Sequence, residues 1–162
     1  MRRLFLLFRL GDDRYAVAAD AVVRVLPLQT TLKQVPGAPD WVAGVLVQEG
    51  APVPVIDLSR MALGRPSRHL TSTRIVLVTY RHRGQEAART LALMLEGVTE
   101  TGHRDPADFV PCGLDSPRAR YLGPVLDEPE GMLQWVDVDA LLSDEARALL
   151  FPDASVGEGA CS

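Results

Sequence analysis

The stretch Val35-Pro36-Gly37-Ala38-Pro39-Asp40-Trp41-Val42-Ala43-Gly44-Val45-Leu46-Val47-Gln48-Glu49-Gly50-Ala51-Pro52-Val53-Pro54-Val55-Ile56-Asp57-Leu58 alternates short apolar runs with turn residues. Its runs are too short for helices, and their Val and Ile content favours extended chain. Strands are predicted at Val45–Gln48 and Pro52–Leu58. Gln48-Glu49-Gly50 joins them as a hairpin, with Gly50 free to take positive φ. Asp57, ending the second strand, is placed to cap a short helix over Ser59–Leu63, which Gly64 and Pro66 stop.

The same period of two extends in both directions. Further strands are predicted at Leu4–Leu10, Arg14–Val17, Val22–Leu26, Arg74–Tyr80, Thr90–Glu96, Glu100–His103, Tyr121–Leu126 and Met132–Val138. Gly11-Asp12-Asp13 closes the first hairpin, and Arg81–Arg89 reads as a longer polar hairpin loop. Ten short strands with frequent turns predict a mainly β protein built from small barrels rather than a βαβ sheet. Helical signal returns at the end, where Leu142, Ala146, Leu149 and Leu150 form one stripe behind the cap Ser143-Asp144-Glu145. Asp139–Leu142 reads as a separate short turn before that helix. Arg65–Ser72 reads as a linker between two halves, and the residues beyond Pro152 offer little to bury, which predicts a disordered tail over 152–162.

With 162 residues, 47% hydrophobic and 23% charged, the chain has a globular composition. Its longest apolar runs, Leu4–Phe8 and Leu91–Leu95, fall far short of the roughly 20 residues that span a bilayer. Arg9, Asp12 and Asp13 cut the opening run too early for a signal peptide. Cys112 and Cys161 are the only cysteines and asparagine is absent, so a reducing cytoplasm is expected. Net charge is −4, unevenly spread: zero over residues 1–57, +6 over 58–90 and −10 over 91–162. No whole-molecule basic footprint for nucleic acid results.

Catalytic motifs do not assemble. Asp57 is a candidate carboxylate, but no second carboxylate is paired with it by spacing, and capping the following helix explains it better. Cys112 with His103 lacks the orienting group and oxyanion donors a nucleophile needs. His103, Asp105 and Asp108 are interrupted by Pro106 and carry no metal-ligand spacing. There is no phosphate cradle of either common type, so no cofactor or metal is expected. The arginines of Arg60–Arg89 have only Tyr80 as an interleaved aromatic, which makes a solvated edge or an acidic-partner contact more economical than a nucleic-acid groove. The alternatives to a binding module are thus a small hydrolase using Asp57 or Cys112/His103, and a nucleic-acid binder using Arg60–Arg89.

The quoted stretch resembles the CheW-like domain of bacterial chemosensory arrays, with its P-x-x-hydrophobic-x-G-V turn at Pro39–Val45, its hairpin, and its P-V-hydrophobic-D-L run at Pro54–Leu58. Phe5–Gly11 with Tyr15, Leu93–Val98 and Val136–Leu142 are similar to other family segments in the same order. The resemblance spans about residues 4–151. It implies two packed five-stranded SH3-like barrels with a short C-terminal helix, divided as subdomain 1 (about 12–72) and subdomain 2 (about 73–138, helix 139–151). It also implies a non-catalytic adaptor. One surface would meet the cytoplasmic tip of a methyl-accepting chemoreceptor, in a groove near the subdomain junction. Another would meet the regulatory domain of a CheA-type histidine kinase. Nucleic-acid binding and membrane insertion form no part of that role, and the protein would be recruited from the cytoplasm to membrane receptor arrays.

Carried over by position, the resemblance implies binding residues at Val22, Gly44, Glu49, Pro52, Ile75, Ala92 and Val98. Glu49 departs from the family, which typically carries arginine in that hairpin. The exchange reverses the local charge and replaces a guanidinium donor with an acceptor, so either the contact is absent or the partner differs, as a receptor with a basic complement would. Ala62–Pro66, Thr73–Val78 and Tyr121–Leu126 resemble coupling proteins of Wsp-type surface-sensing arrays, which implies a cyclic-di-GMP output.

Overall fold

A computed structural model describes residues 1–28, 31–81, 87–113 and 119–152. Nine strands occur among the described residues: β1 (Arg3–Leu10), β2 (Asp13–Ala18), β3 (Val22–Pro27), β4 (Val42–Gln48), β5 (Ala51–Asp57), β6 (Arg74–Tyr80), β7 (Arg89–Arg104), β8 (Leu122–Leu126) and β9 (Leu133–Val136). Two short helices, α1 (Leu58–Leu63) and α2 (Asp144–Leu150), follow β5 and end the described chain. The architecture is mainly β, in two five-stranded SH3-like units whose sheets do not close fully. The expected tail, with Cys161, lies outside the described residues from 153 onward, as do residues 82–86 of the expected polar hairpin loop.

β7 joins the two units. Its first half pairs antiparallel with β6 and parallel with β5, and β3 and β4 flank these two. Its second half pairs with β1, beyond which lie β2, β9 and β8. The strands expected separately at Thr90–Glu96 and Glu100–His103 are therefore one strand of 16 residues. Gly97, at φ 62°, bends the chain between them and lets it change partners without a loop. Opposite the bend, the β1 register shifts between Leu7 and Arg9. Each unit draws strands from both sides of residue 72, and the N-terminal strand pairs with β2 and the end of β7.

Three cores follow from strand alternation. Phe5, Leu7, Ala16, Ala18, Phe109 and Leu133 fill one unit, and Leu46, Val53, Val55, Ile75, Leu77, Ala92 and Met94 fill the other. The opposite faces of the same strands meet in a seam between the units, through Leu6, Phe8, Leu10, Ile56, Val76, Val78, Leu91, Leu93 and Leu95. Val138, Leu141, Leu142, Ala146 and Phe151 close that seam from the C-terminal side. Ser143 caps α2 by accepting from the Ala146 N–H, as the sequence predicts.

The segment read as a linker is strapped down. Asp57 accepts from the Arg60 N–H at 3.2 Å and from the Ser67 N–H at 2.9 Å. Arg68 Nε lies 2.8 Å from the carboxylate of Glu96, itself almost fully buried. Thr73 Oγ1 accepts from the Leu70 N–H, and the Val98 N–H donates to the Ser72 carbonyl.

Candidate functional site

The β4–β5 hairpin turns in two residues, between the facing pair Gln48 and Ala51. Both turn residues have positive φ, 51° at Glu49 and 78° at Gly50, the combination that matches the right-handed twist of the flanking strands. Glycine tolerates this freely, but a β-carbon costs about 1–2 kcal/mol there. Glu49 is the only non-glycine residue with positive φ among the described residues. Its side chain is 77% exposed, so burial does not recover that cost.

Beside the hairpin, β3 runs along the open edge of its sheet with Val23 and Val25 exposed. Between β3, the hairpin and the start of β7 lies a groove of about 450 Å³. Val23, Pro52, Val53, Leu77 and Ala88 are among its apolar lining, and Arg24, Glu49 and Arg89 among its charged lining. Arg24 Nη2 stands 3.8 Å from Glu49 Oε1. The Arg89 guanidinium lies over the Phe151 ring at 6.0 Å, and that ring stacks on Tyr80. Cations over aromatic faces gain electrostatic attraction while keeping their hydrogen-bond donors available.

Of the seven residues expected from sequence, Glu49 and Pro52 meet in this groove. Val22 is half-buried against the seam, and Val98 is 9% exposed within it. Ile75 and Ala92 are wholly enclosed in the second unit's core, on β6 and β7, and neither lines the groove. Gly44 is buried for a steric reason: a β-carbon there would stand 2.7 Å from the Lys33 carbonyl, where Lys33 bridges to Val45.

Sequence reasoning missed Arg24 and Phe151, and read Arg89 only as one of the arginines of Arg60–Arg89. A signal existed for Arg24, a charge set inside the apolar run Val22-Val23-Arg24-Val25-Leu26. None existed for Phe151, which reaches the groove only through the packing of α2.

A second concavity of about 300 Å³ lies at the junction of the units, lined by Arg3, Asp20, Trp135, Asp137 and Asp139 among others. Arg3 pairs with Asp20 at 2.7 Å and stacks over Trp135. None of the seven residues lines it.

The groups singled out for chemistry do not come together among the described residues. The Asp57 carboxylate is engaged as cap and strap. His103 is exposed at the end of β7, and Cys112 Sγ lies 3.7 Å from Gln134 Nε2, with no hydrogen bond between His103 and Cys112 among the described residues. Asp105 caps a one-turn helix at Pro106–Asp108, and the Ala107 N–H it accepts holds its pKa below the usual carboxylate value. Among the described residues no three His, Cys, Asp or Glu side chains converge to hold a metal. Arg60 pairs with Asp40, Arg68 with Glu96, and Arg74 donates to the Thr71 and Thr73 carbonyls. These arginines therefore do not line up as a phosphate track. Among the described residues no helix is long and apolar enough to cross a membrane.

Comparison with known proteins gives concordant results. The model of the CheW-like domain family matches residues 4–146. The chain is 24% identical over 151 residues to the chemotaxis protein CheW of Bacillus subtilis (strain 168), covering 91% of this chain and 92% of the relative. It is 28% identical over 148 residues to the chemotaxis protein CheW of Rhizobium meliloti (strain 1021), covering 90% of each. Its fold superposes on the crystal structure of the scaffolding protein TtCheW from Thermoanaerobacter tengcongensis with a TM-score of 0.73, at 19% identity, over 90% of this chain and 91% of that one.

Proposed function

Because the chain belongs to the CheW-like domain family, we propose that it is a non-catalytic adaptor that couples methyl-accepting chemoreceptors to a CheA-type histidine kinase in a chemosensory array. The observation that carries this reading is the groove beside the β4–β5 hairpin, where Glu49 is held in an unfavourable backbone conformation with its side chain presented outward. Unfavourable conformations of this kind persist where recognition needs them. The groove is concave and part apolar with charged rims, which suits a protein segment better than a reacting substrate.

The chain would serve from the cytoplasm, recruited to receptors in the membrane. The division into subdomains of about 12–72 and 73–138, with the C-terminal helix at 139–151, belongs to the same proposal. Likeness of Ala62–Pro66, Thr73–Val78 and Tyr121–Leu126 to Wsp-type coupling proteins supports an array whose output is cyclic di-GMP.

Calorimetric titration tests the reading, with the purified chain against a receptor cytoplasmic hairpin fragment and a CheA-type regulatory domain from the same organism. Dissociation constants in the micromolar range are expected, as for small transient interfaces strengthened by array avidity. Absence of binding to both fragments at millimolar concentration defeats it.

A further inference from the structure

Arg24 and Glu49 pair at 3.8 Å where both line the groove, and their arrangement has no explanation in the stability of the chain alone. Both side chains are more than half exposed, at 53% and 77%. Ion pairs in that setting contribute between nothing and about 1 kcal/mol. Glycine or asparagine at position 49 would serve the hairpin better than glutamate does. The pair also bridges two elements, edge strand β3 and the β4–β5 turn, that no ladder joins at this point.

Resemblance to the family leads one to expect arginine at position 49. Here glutamate stands there, and the facing position on β3 is an arginine. The pair thus places an anion on the hairpin and a cation on the strand. A partner laid across it meets acceptor oxygens at the hairpin and a forked donor at β3. Like charges brought together at such a contact cost more than opposite charges gain, so polarity discriminates between partners.

We infer that Arg24 and Glu49 form a selectivity pair. The groove admits a receptor hairpin that presents a basic side chain toward Glu49 and an acidic one toward Arg24. It disfavours receptors built for arginine on the hairpin turn. This inference rests on the adaptor reading above.

The test uses the full chain as wild type, Arg24→Glu, Glu49→Arg and the double variant. Each is titrated against two probes: the cytoplasmic hairpin fragment of its own receptor, taken as the chemoreceptor of the same organism that binds wild type most tightly, and that of a receptor served by a family member with arginine at the hairpin position. Thermal melts confirm that all four fold, as expected for exposed substitutions. Wild type is expected to bind its own receptor fragment at least tenfold more tightly than the other. Either single variant should weaken binding to the own fragment about tenfold. The double variant should reverse the preference. If the double variant keeps wild-type affinity and preference, the pair is an internal brace and the inference fails while the adaptor reading stands. If wild type binds neither receptor fragment, the receptor half of the adaptor reading fails and takes the inference with it.

Discussion

Ser67 Oγ donates to Asp57 Oδ1 at 2.6 Å, and the Ser67 N–H donates to the same carboxylate. A strand-ending aspartate thereby holds both the start of α1 and the segment that leads to β6. Asp57 is 7% exposed and Ser67 4%, so removing the carboxylate strands buried donors that water does not reach. Asp57→Ala is expected to lower unfolding free energy by roughly 2–4 kcal/mol. Urea denaturation measures this; an unchanged midpoint would reopen Asp57 as a residue kept for chemistry.

Gly44 provides a sharper steric case. The β-carbon of Gly44→Ala would sit 2.7 Å from the Lys33 carbonyl and 2.8 Å from Leu32 Cβ, at a φ of 147°. The Lys33–Val45 bridge, which carries the chain from β3 over to β4, must then shift. Destabilisation of about 1–3 kcal/mol is expected, the usual range for overpacking. Hydrogen exchange should show the loss first at the amides of Lys33 and Val45, which bond each other's carbonyls at 3.0 and 2.8 Å. Protection unchanged at those two amides would contradict the steric account.

The enclosed and exposed members of the predicted site should separate cleanly by experiment. Ile75→Ala removes a side chain with 0% exposure and is expected to cost about 2–5 kcal/mol. Any binding it loses should return under conditions that restore folding. Pro52→Asp alters an exposed groove wall and should weaken receptor-fragment binding with little change in melting temperature. A Pro52→Asp protein that binds normally would remove the groove from the contact surface.

The strands were legible because their period is two, but their sharing between cores was not. Leu4–Phe8 and Leu91–Leu95 read as unbroken apolar runs. The structure shows why: Phe5 and Leu7 point into one unit while Leu6 and Phe8 point into the seam, and Ala92 and Met94 oppose Leu91, Leu93 and Leu95 in the same way. A strand buried on both faces loses the alternation that would reveal its neighbours. Pairing partners were equally hidden, since the 16-residue β7 takes β5 and β6 along one half and β1 along the other. Within the site, the hairpin carried its own signal in Glu49-Gly50. Arg89 and Phe151 come to the groove from elements 40 to 100 residues away, which no local pattern encodes.

Glu128 links these topological facts to pH. Arg104 Nε lies 2.7 Å and Arg14 Nη1 3.0 Å from its carboxylate, so one acid ties the end of β7 and β2 to the β8–β9 turn. Burial alone would raise its pKa, but the hydrogen bonds from Arg104 and Arg14, with their charges, outweigh this and hold it below the ordinary glutamate value. A carboxylate with a depressed folded-state pKa stabilises the fold above its unfolded pKa, and that contribution disappears as pH falls through the folded value. Wild type should therefore lose stability progressively below the ordinary glutamate pKa of about 4.3. Glu128→Gln should be less stable at pH 7, by about 1–3 kcal/mol for the loss of charged hydrogen bonds. Over the acid range its stability should fall less steeply than that of wild type, so the two curves converge at low pH. Parallel curves from pH 7 to 3 would show that the Arg14–Glu128–Arg104 cluster does not carry the acid sensitivity.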